Sequence, residues 1–264
     1  MKREKIFKSE HRKGIYILPN IFTSLNIFCG FYGIVAAFNG KFVAAAVSIV
    51  IAGIFDGLDG KIARATNSTS EFGLEYDSLA DVISFGLAPA LIMYLWALKP
   101  LGRMGWLAAF LFTVCGALRL ARFNTQSGTV SSDHFVGLPI PAGAGMNAVI
   151  ILLCSKLNIS NVNPYVILLT VYSLSFLMVS SIRYNSFKKP ELFKKMKFNV
   201  LVSVILVLIL VAAQTSIALF IMGASYVLSG PAAAVFRYFK GKKEKDEKTE
   251  IQEHEEEIQR EHVS

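Results

Sequence analysis

Charged residues are scarce in this chain. Asp, Glu, Lys and Arg make up 17% of its 264 residues, against about 25% in typical soluble domains. Hydrophobic residues reach 53%, and they gather in long apolar runs separated by short charged clusters. Runs of about 17–25 apolar residues are long enough to cross a bilayer as helices. The composition therefore excludes a soluble globular domain and indicates a polytopic membrane protein.

Cysteine and histidine are also rare, with three and four residues. The cysteines (Cys29, Cys115 and Cys154) all fall within apolar stretches, so we expect no disulfide framework. No group of His and Cys has the spacing of a zinc site. No Ser-His or Cys-His pair points to a covalent intermediate. Any chemistry in this chain must therefore come from other side chains.

Eight apolar segments are predicted to be transmembrane helices. They lie near residues 17–38, 42–58, 74–98, 104–123, 135–156, 164–182, 198–213 and 217–236. With the N terminus in the cytoplasm, 23 of the 27 Lys and Arg residues fall on the cytoplasmic side, as the positive-inside rule requires. Removing one span would place a large basic cluster outside. We therefore predict an all-α bundle of about eight spans with both termini in the cytoplasm.

Three parts are expected along the chain. They are a basic cytoplasmic segment over residues 1–14, a transmembrane domain over residues 15–238 and a charged tail over residues 239–264. The tail is almost wholly polar and cannot bury enough apolar surface to fold alone, so we expect it to be disordered. The net charge of +8 lies mostly on the predicted cytoplasmic side. This placement favours anionic membrane lipids as partners and argues against nucleic acid.

Four aspartates interrupt the apolar pattern around the second and third spans. A carboxylate at the centre of a membrane helix costs roughly 2.5–3.5 kcal/mol on insertion scales, so a group of them indicates a function. Asp56 and Asp59 share one face of the second helix, and Asp77 and Asp81 share one face of the third. Small residues lie on the same faces: Gly60, Ala63 and Gly73. The two carboxylate pairs are therefore predicted to converge between the helices.

Four carboxylates between two helices are hard oxygen ligands, which suit two Mg²⁺ or Mn²⁺ ions. Such a pair of ions can hold a diphosphate and stabilise both the attacking and the leaving oxygen. A structural alternative is that the aspartates cap helix ends by pairing with Lys61 and Arg64. It explains neither the spacing nor the small residues. A divalent-cation transporter is a further alternative, but it would distribute acids over several helices, and spans four to eight contain none.

The stretch from residue 56 to residue 81 resembles the signature of the CDP-alcohol phosphatidyltransferase family, D-x2-D-G-x2-A-R-x8-G-x3-D-x3-D. Every fixed position of the signature is matched, by Asp56, Asp59, Gly60, Ala63, Arg64, Gly73, Asp77 and Asp81. The resemblance covers about residues 15 to 230. It implies that residues 15–238 form a catalytic domain with the fold of that family and that the protein is a homodimer. It also implies that the four aspartates bind two divalent ions and that Asp81 is the general base.

The same resemblance implies a binding site for the CDP-lipid. Its expected residues are Asn20, Thr23, Gly60, Ala63, Arg64, Ser70 and Gly73. The guanidinium of Arg64 is well shaped to bind a phosphate. Asn20 and Thr23 belong to residues 19–23, which resemble a family element that lines the nucleotide diphosphate. From the residues alone, helix capping or hydrogen bonding between helices explains these two side chains equally well.

Three later segments, residues 117–124, 137–142 and 178–184, resemble the members of this family that use serine. We therefore expect phosphatidyl transfer from CDP-diacylglycerol to L-serine, with release of CMP, at the cytoplasmic face of the cell membrane. Arg119 and Arg122 share a helix face and could bind the serine carboxylate, with Asn124 beside them. Glycerol 3-phosphate and inositol phosphate are alternative acceptors, and both arginines could instead contact lipid phosphates. Residues 137–141 are expected to begin the fifth helix, with proline in its first turn.

Overall fold

The computed structural model describes residues 17–66, 68, 70–126, 134–159, 161–185 and 215–236. The helices in these ranges are α1 (Ile17–Phe38), α2 (Phe42–Ala65), α3 (Glu71–Leu101), α4 (Arg103–Gln126), α5 (Ile140–Lys156), α6 (Pro164–Val179) and α7 (Thr215–Phe236). Two short strands accompany them, β1 (His134–Val136) and β2 (Arg183–Asn185). The predicted helical fold class is confirmed.

Five of the described helices are long and apolar enough to cross a membrane, namely α1, α2, α3, α4 and α7. α5 and α6 are apolar but shorter, with 17 and 16 residues. At 1.5 Å per residue they measure about 24–26 Å, slightly less than the hydrocarbon core of a bilayer. These helices correspond to seven of the eight predicted spans, and the chain is a multi-pass membrane protein. The remaining predicted span, residues 198–213, lies outside the described residues, as do residues 1–14 and 239–264.

Glycines let α1 pack closely against both α2 and α3. A Cβ on Gly30 would lie 2.6 Å from Ser84 Oγ of α3, and a Cβ on Gly33 would lie 2.6 Å from Ser48 Oγ of α2. Neither contact leaves room for a side chain, as is common where membrane helices approach closely. The Ser84 hydroxyl donates to the backbone carbonyl of Asn26 at 2.9 Å. α1 therefore packs tightly against both helices that carry the acidic signature.

α3 is not a uniform α-helix. It is α-helical over Glu71–Asp81, and wider π-helical segments follow at Val82–Leu87 and Tyr94–Leu98. Pro89 lies between these segments and has no N–H to donate, so the hydrogen bonding must adjust around it. The first π segment begins directly after Asp81. Such segments are frequent at functional sites, and this one follows a predicted site residue at once.

The pairing of β1 with β2 corrects the predicted limits of two spans. The prediction began the fifth span at residue 135 and ended the sixth at residue 182, whereas Phe135 pairs with Tyr184 in an antiparallel sheet. Gly137 has a φ of +80°, which directs the chain out of the strand and does not occur within an α-helix. α5 begins only at Ile140, directly after Pro139 and with a second proline in its first turn. The expected role of the prolines at this helix start is confirmed.

Tyr184 of β2 attaches α7 to the rest of the bundle. Its side chain is 1% exposed and packs directly on Gly230, where a Cβ would collide with the ring. The Tyr184 hydroxyl donates to the Val227 carbonyl of α7 at 3.1 Å. Burial raises the pKa of Tyr184 to about 12, so the hydroxyl keeps the proton that it donates at neutral pH. The strand pair therefore holds the last described helix in place.

Candidate metal and nucleotide site

Three aspartates come together where α2 and α3 approach each other. One carboxylate oxygen from each of Asp56, Asp59 and Asp77 lies within 4.8 Å of the other two. Asp59 is buried, and the other two are partly buried. Ionised carboxylates at this separation repel one another unless a cation lies among them. This cluster could therefore bind a metal ion.

Asp81 lies one helical turn beyond Asp77 on α3. It is 8% exposed and close enough to the three clustered carboxylates for their charges to interact. The Oδ1 atoms of Asp77 and Asp81 are buried and have no hydrogen-bond partner among the described residues. Burying carboxylate oxygens without a donor is costly, and a bound cation would remove that cost. Because all the donors are carboxylate oxygens, these residues fit a hard divalent ion.

Thr23 connects α1 to this cluster. It is 3% exposed, and its hydroxyl donates to Asp59 Oδ2 at 2.9 Å. The Pro19 carbonyl, at 3.2 Å, is a second acceptor for the same proton. The shorter contact joins two helices, so hydrogen bonding between helices describes Thr23 better than helix capping does. Asn20 lies one turn earlier, and its Oδ1 is 3.6 Å from the position of a Cβ on Gly73.

A cavity of about 250 Å³ lies beside the carboxylates. Its lining contains every residue predicted to bind the CDP-lipid: Asn20, Thr23, Gly60, Ala63, Arg64, Ser70 and Gly73. Asp59 and Asp77 also line the cavity, so it is continuous with the carboxylate cluster. The structure thus brings these residues from three helices together. The ligand that they bind stays a prediction.

Similarity to known proteins establishes the family. The family model described as CDP-alcohol phosphatidyltransferase matches residues 16–176. This chain belongs to the CDP-alcohol phosphatidyltransferase family. Several relatives bear the name CDP-diacylglycerol–serine O-phosphatidyltransferase. The Helicobacter pylori strain 26695 protein is 42% identical over 207 residues, which cover 78% of this chain and 86% of that protein.

Two further relatives with the same name come from other bacterial groups. The Bacillus subtilis strain 168 protein is 36% identical over 173 residues, covering 65% of this chain and 92% of the relative. The Mycobacterium tuberculosis strain H37Rv protein is 42% identical over 146 residues, covering 53% of this chain and 51% of the relative. All three relatives carry the name CDP-diacylglycerol–serine O-phosphatidyltransferase.

Within the family signature, Ser70 both lines the cavity and begins a helix. It is the N-cap of α3, and its Oγ accepts a hydrogen bond from the Gly73 N–H at 3.0 Å. A Cβ at position 73 would lie only 3.1 Å from that oxygen, so the glycine keeps this turn uncrowded. The N-terminus of α3 therefore opens on the cavity. Helix N-termini favour anions because of their free N–H groups and the helix dipole.

Two residues of the cavity, Ser68 and Leu74, were not predicted. Ser68 is 5% exposed, its hydroxyl shares a hydrogen bond with Thr66 at 2.6 Å, and its N–H donates to the Ala63 carbonyl at 3.0 Å. The signal for Ser68 was the run of polar residues between the two halves of the family signature. Ser68 lies in the short connection between α2 and α3, so its own side chain is close to both helices.

Among the predicted acceptor residues, Arg119 of α4 is the one whose charge acts on Asp81. It is 8% exposed and close enough to Asp81 for the two charges to interact. Its guanidinium carbon lies 5.7 Å from the centre of the Phe123 ring. Its Nε has no hydrogen-bond partner among the described residues. A buried guanidinium with spare donors beside the cluster fits a role in binding a small anionic group.

The two other predicted acceptor residues have different surroundings. Arg122 is partly exposed. Asn124 donates from Nδ2 to Ser78 Oγ at 2.9 Å, so it joins α4 to the α3 turn that lies directly before Asp81. Asn124 therefore contacts a residue that supports the site, and its contact with an acceptor stays a prediction.

The helix-capping alternative for the aspartates depended on Lys61 and Arg64. Both side chains are exposed. Neither is among the described residues that interact electrostatically with the four carboxylates. Arg119 is, because its charge interacts with Asp81. Pairing at the helix end therefore does not explain the acidic cluster.

Proposed function

We propose that this chain transfers the phosphatidyl group of CDP-diacylglycerol to L-serine, forming phosphatidylserine and CMP. The observation that carries the proposal is that three clustered carboxylates, with Asp81 one turn beyond Asp77, adjoin a cavity of about 250 Å³ within a fully matched family signature. Relatives named for serine, with identity up to 42%, support serine as the acceptor.

The cavity has the features that a nucleotide diphosphate requires. Arg64 offers a planar fork of donors to a phosphate group. The N-terminus of α3 offers free N–H groups and a partial positive charge. Gly60 and Ala63 are small, which allows the ligand to approach the backbone of α2. We therefore propose that the CDP portion of the lipid substrate binds in this cavity.

We propose that Asp56, Asp59, Asp77 and Asp81 hold two Mg²⁺ or Mn²⁺ ions. When bound, the ions would neutralise the diphosphate and the charge that develops on departing CMP. The polypeptide fixes the carboxylates that hold them. Thr23 orients Asp59 through the 2.9 Å hydrogen bond between α1 and α2.

Asp81 is proposed as the general base. Its buried Oδ1 has no donor among the described residues and is free to accept the proton of the serine hydroxyl. Arg119 lies beside Asp81 and is proposed to hold the serine carboxylate. The serine oxygen then attacks the β-phosphorus in line, and the bond from that phosphorus to the CMP oxygen breaks. The proposed transfer needs no covalent enzyme intermediate.

The proposed site faces the cytoplasm, because 23 of the 27 Lys and Arg residues fall on the same side of the membrane as the aspartates in the predicted topology. We propose the cell membrane as its location, anionic lipids as contacts of the basic segments and a homodimer as its assembly. The domain limits at residues 14/15 and 238/239 fall outside the described residues and stay predictions.

An acceptor panel tests the proposed reaction. Purified protein with labelled CDP-diacylglycerol and Mn²⁺ or Mg²⁺ should release CMP at least about 100-fold faster with L-serine than with glycerol 3-phosphate or inositol phosphate. Ethanolamine is the matched control, because it keeps the hydroxyl and the amine of serine but lacks the carboxylate. It should be a poor acceptor if Arg119 holds that carboxylate.

Two results of this panel would contradict the proposal. CMP release with glycerol 3-phosphate and not with serine would exclude serine as the acceptor. Absence of CMP release with every acceptor, together with Mn²⁺ flux in proteoliposomes, would favour a cation transporter.

A further inference from the structure

Asn26 of α1 carries a fully buried amide without a hydrogen-bond partner. The residue is 0% exposed, and neither Oδ1 nor Nδ2 of its side chain has a partner among the described residues. Its backbone carbonyl is engaged by Ser84, but the amide is not. Unsatisfied buried amides are costly and rare in native proteins. The Asn26 side chain therefore has its N–H donors and its oxygen available for a further hydrogen-bond partner.

The register of α1 against α2 places Asn26 level with Asp56. These helices run antiparallel, and Thr23 of α1 donates to Asp59 of α2 at 2.9 Å. Asn26 lies three residues after Thr23 on α1, and Asp56 lies three residues before Asp59 on α2. Because residues three apart share a helix face, this second pair lies on the same faces as the first.

The register of α1 against α3 places Asn26 level with Asp81. A Cβ on Gly30 of α1 would lie 2.6 Å from Ser84 Oγ of α3. These two helices run parallel, so one turn back along both leads from Gly30 to Asn26 and from Ser84 to Asp81. The Oδ1 of Asp81 is also buried without a partner in the described part of the chain.

We propose that Asn26 is a positioning residue of the metal centre. With ions bound, its Nδ2 donates to the carboxylates of Asp56 and Asp81 and keeps their remaining oxygens directed at the ions. This arrangement satisfies the two N–H donors of the buried amide, and the Asp81 carboxylate, with four lone pairs, keeps one for the proton of the serine hydroxyl. Asn26 acts only through the two carboxylates and touches neither substrate. The inference rests on the proposed function, because that function requires the ions.

A second buried amide supplies a matched control. Asn147 of α5 is 1% exposed, and its amide also lacks a partner among the described residues. It lines a small apolar void with Ile49 and Ile92. Along α2 and α3 these neighbours lie about 10 Å or more from the nearest of the four aspartates. Asn147 therefore shares the burial of Asn26 but not its position at the carboxylates.

The test compares Asn26→Leu with Asn147→Leu, since each change replaces a buried amide by an apolar group of similar size. Substrate-free protein in nanodiscs is titrated with MnCl₂, and free Mn²⁺ is measured by electron paramagnetic resonance. We expect Asn26→Leu to weaken Mn²⁺ binding about 10–100-fold, as loss of an outer hydrogen-bond partner of a metal site typically does. Asn147→Leu should stay within about twofold of wild type. The Mn²⁺ concentration for half-maximal CMP release should shift in the same way.

Unchanged Mn²⁺ affinity in Asn26→Leu would overturn the inference, and so would an equal loss in both variants, because that result indicates general packing damage. Asn26→Ala removes the amide without adding a branched side chain, so it serves if the leucine variant does not fold, with the same expected loss. Wild-type protein that binds no Mn²⁺ would remove the proposed metal centre together with the inference. If the wild type binds Mn²⁺ and the Asn26 variants bind it with the same affinity, the inference is overturned and the proposed metal centre is not.

Discussion

Replacement of Asp81 by Asn is expected to lower turnover by about 10²–10⁴-fold while the protein stays folded. Asn has the size of Asp and keeps one side-chain oxygen, but it cannot take the proton of the acceptor hydroxyl. CMP release should be measured at saturating L-serine, CDP-diacylglycerol and Mn²⁺. Circular dichroism and size-exclusion chromatography would verify that the variant is folded.

Glu75→Gln is the matched control for Asp81→Asn. Glu75 is an exposed carboxylate on the same helix and lies outside the acidic cluster, so its loss should leave turnover close to wild type. More Mn²⁺ should not restore Asp81→Asn, because the missing function is proton acceptance. If the variant keeps more than about a tenth of wild-type turnover, Asp81 is not the base.

Asp77→Asn is expected to fail in a different way. It removes one negative charge and one strong ligand from the cluster, so we expect turnover at limiting Mn²⁺ to fall by about 10²–10³-fold. Raising the Mn²⁺ concentration should restore part of the activity, because the base is still present. The measurement is the dependence of CMP release on Mn²⁺ concentration, compared with wild type.

Glu75→Gln again supplies the control, since it lies two residues from Asp77 on α3 and should show wild-type dependence on Mn²⁺. Treatment of the wild type with EDTA should abolish CMP release, and added Mn²⁺ should return it. Wild-type Mn²⁺ dependence in Asp77→Asn would show that this carboxylate is not a metal ligand.

Helix positions were predictable because a chain in lipid must pair its backbone groups within each segment. The first predicted span, residues 17–38, coincides with α1 (Ile17–Phe38). The second was predicted to end at residue 58, whereas α2 continues to Ala65. Hydropathy detects the apolar part of a helix and not its end, and Lys61 and Arg64 extend α2 beyond the apolar part.

The meeting of Asp56, Asp59 and Asp77 was predictable from helical periodicity, because residues three and four apart share a face. The strand pair was not predictable in this way. It joins Phe135 to Tyr184, with two helices between them in sequence. A local sequence pattern does not predict a contact between residues so far apart in the chain. Residues 137–141 predicted the start of a helix, but not the strand that precedes it.

Burial of single polar residues on a shared face also escaped prediction. Arg119 and Arg122 have the same helix face, yet packing against α3 and α7 buries Arg119 beside Asp81 and leaves Arg122 partly exposed. The isolation of the Asn26 amide depends on the register of three helices. The burial and the hydrogen-bond partners of such side chains are known only from the tertiary structure, because residue spacing within one helix does not determine them.

Anomalous scattering from manganese tests the central claim most directly, namely that carboxylates of α2 and α3 hold divalent ions. Crystals of the protein with a CDP-lipid and saturating MnCl₂ would be measured at the manganese absorption edge. The prediction is two manganese peaks in direct contact with the side chains of Asp56, Asp59, Asp77 and Asp81. An anomalous map without a peak at these side chains, or with manganese bound only elsewhere, would contradict it.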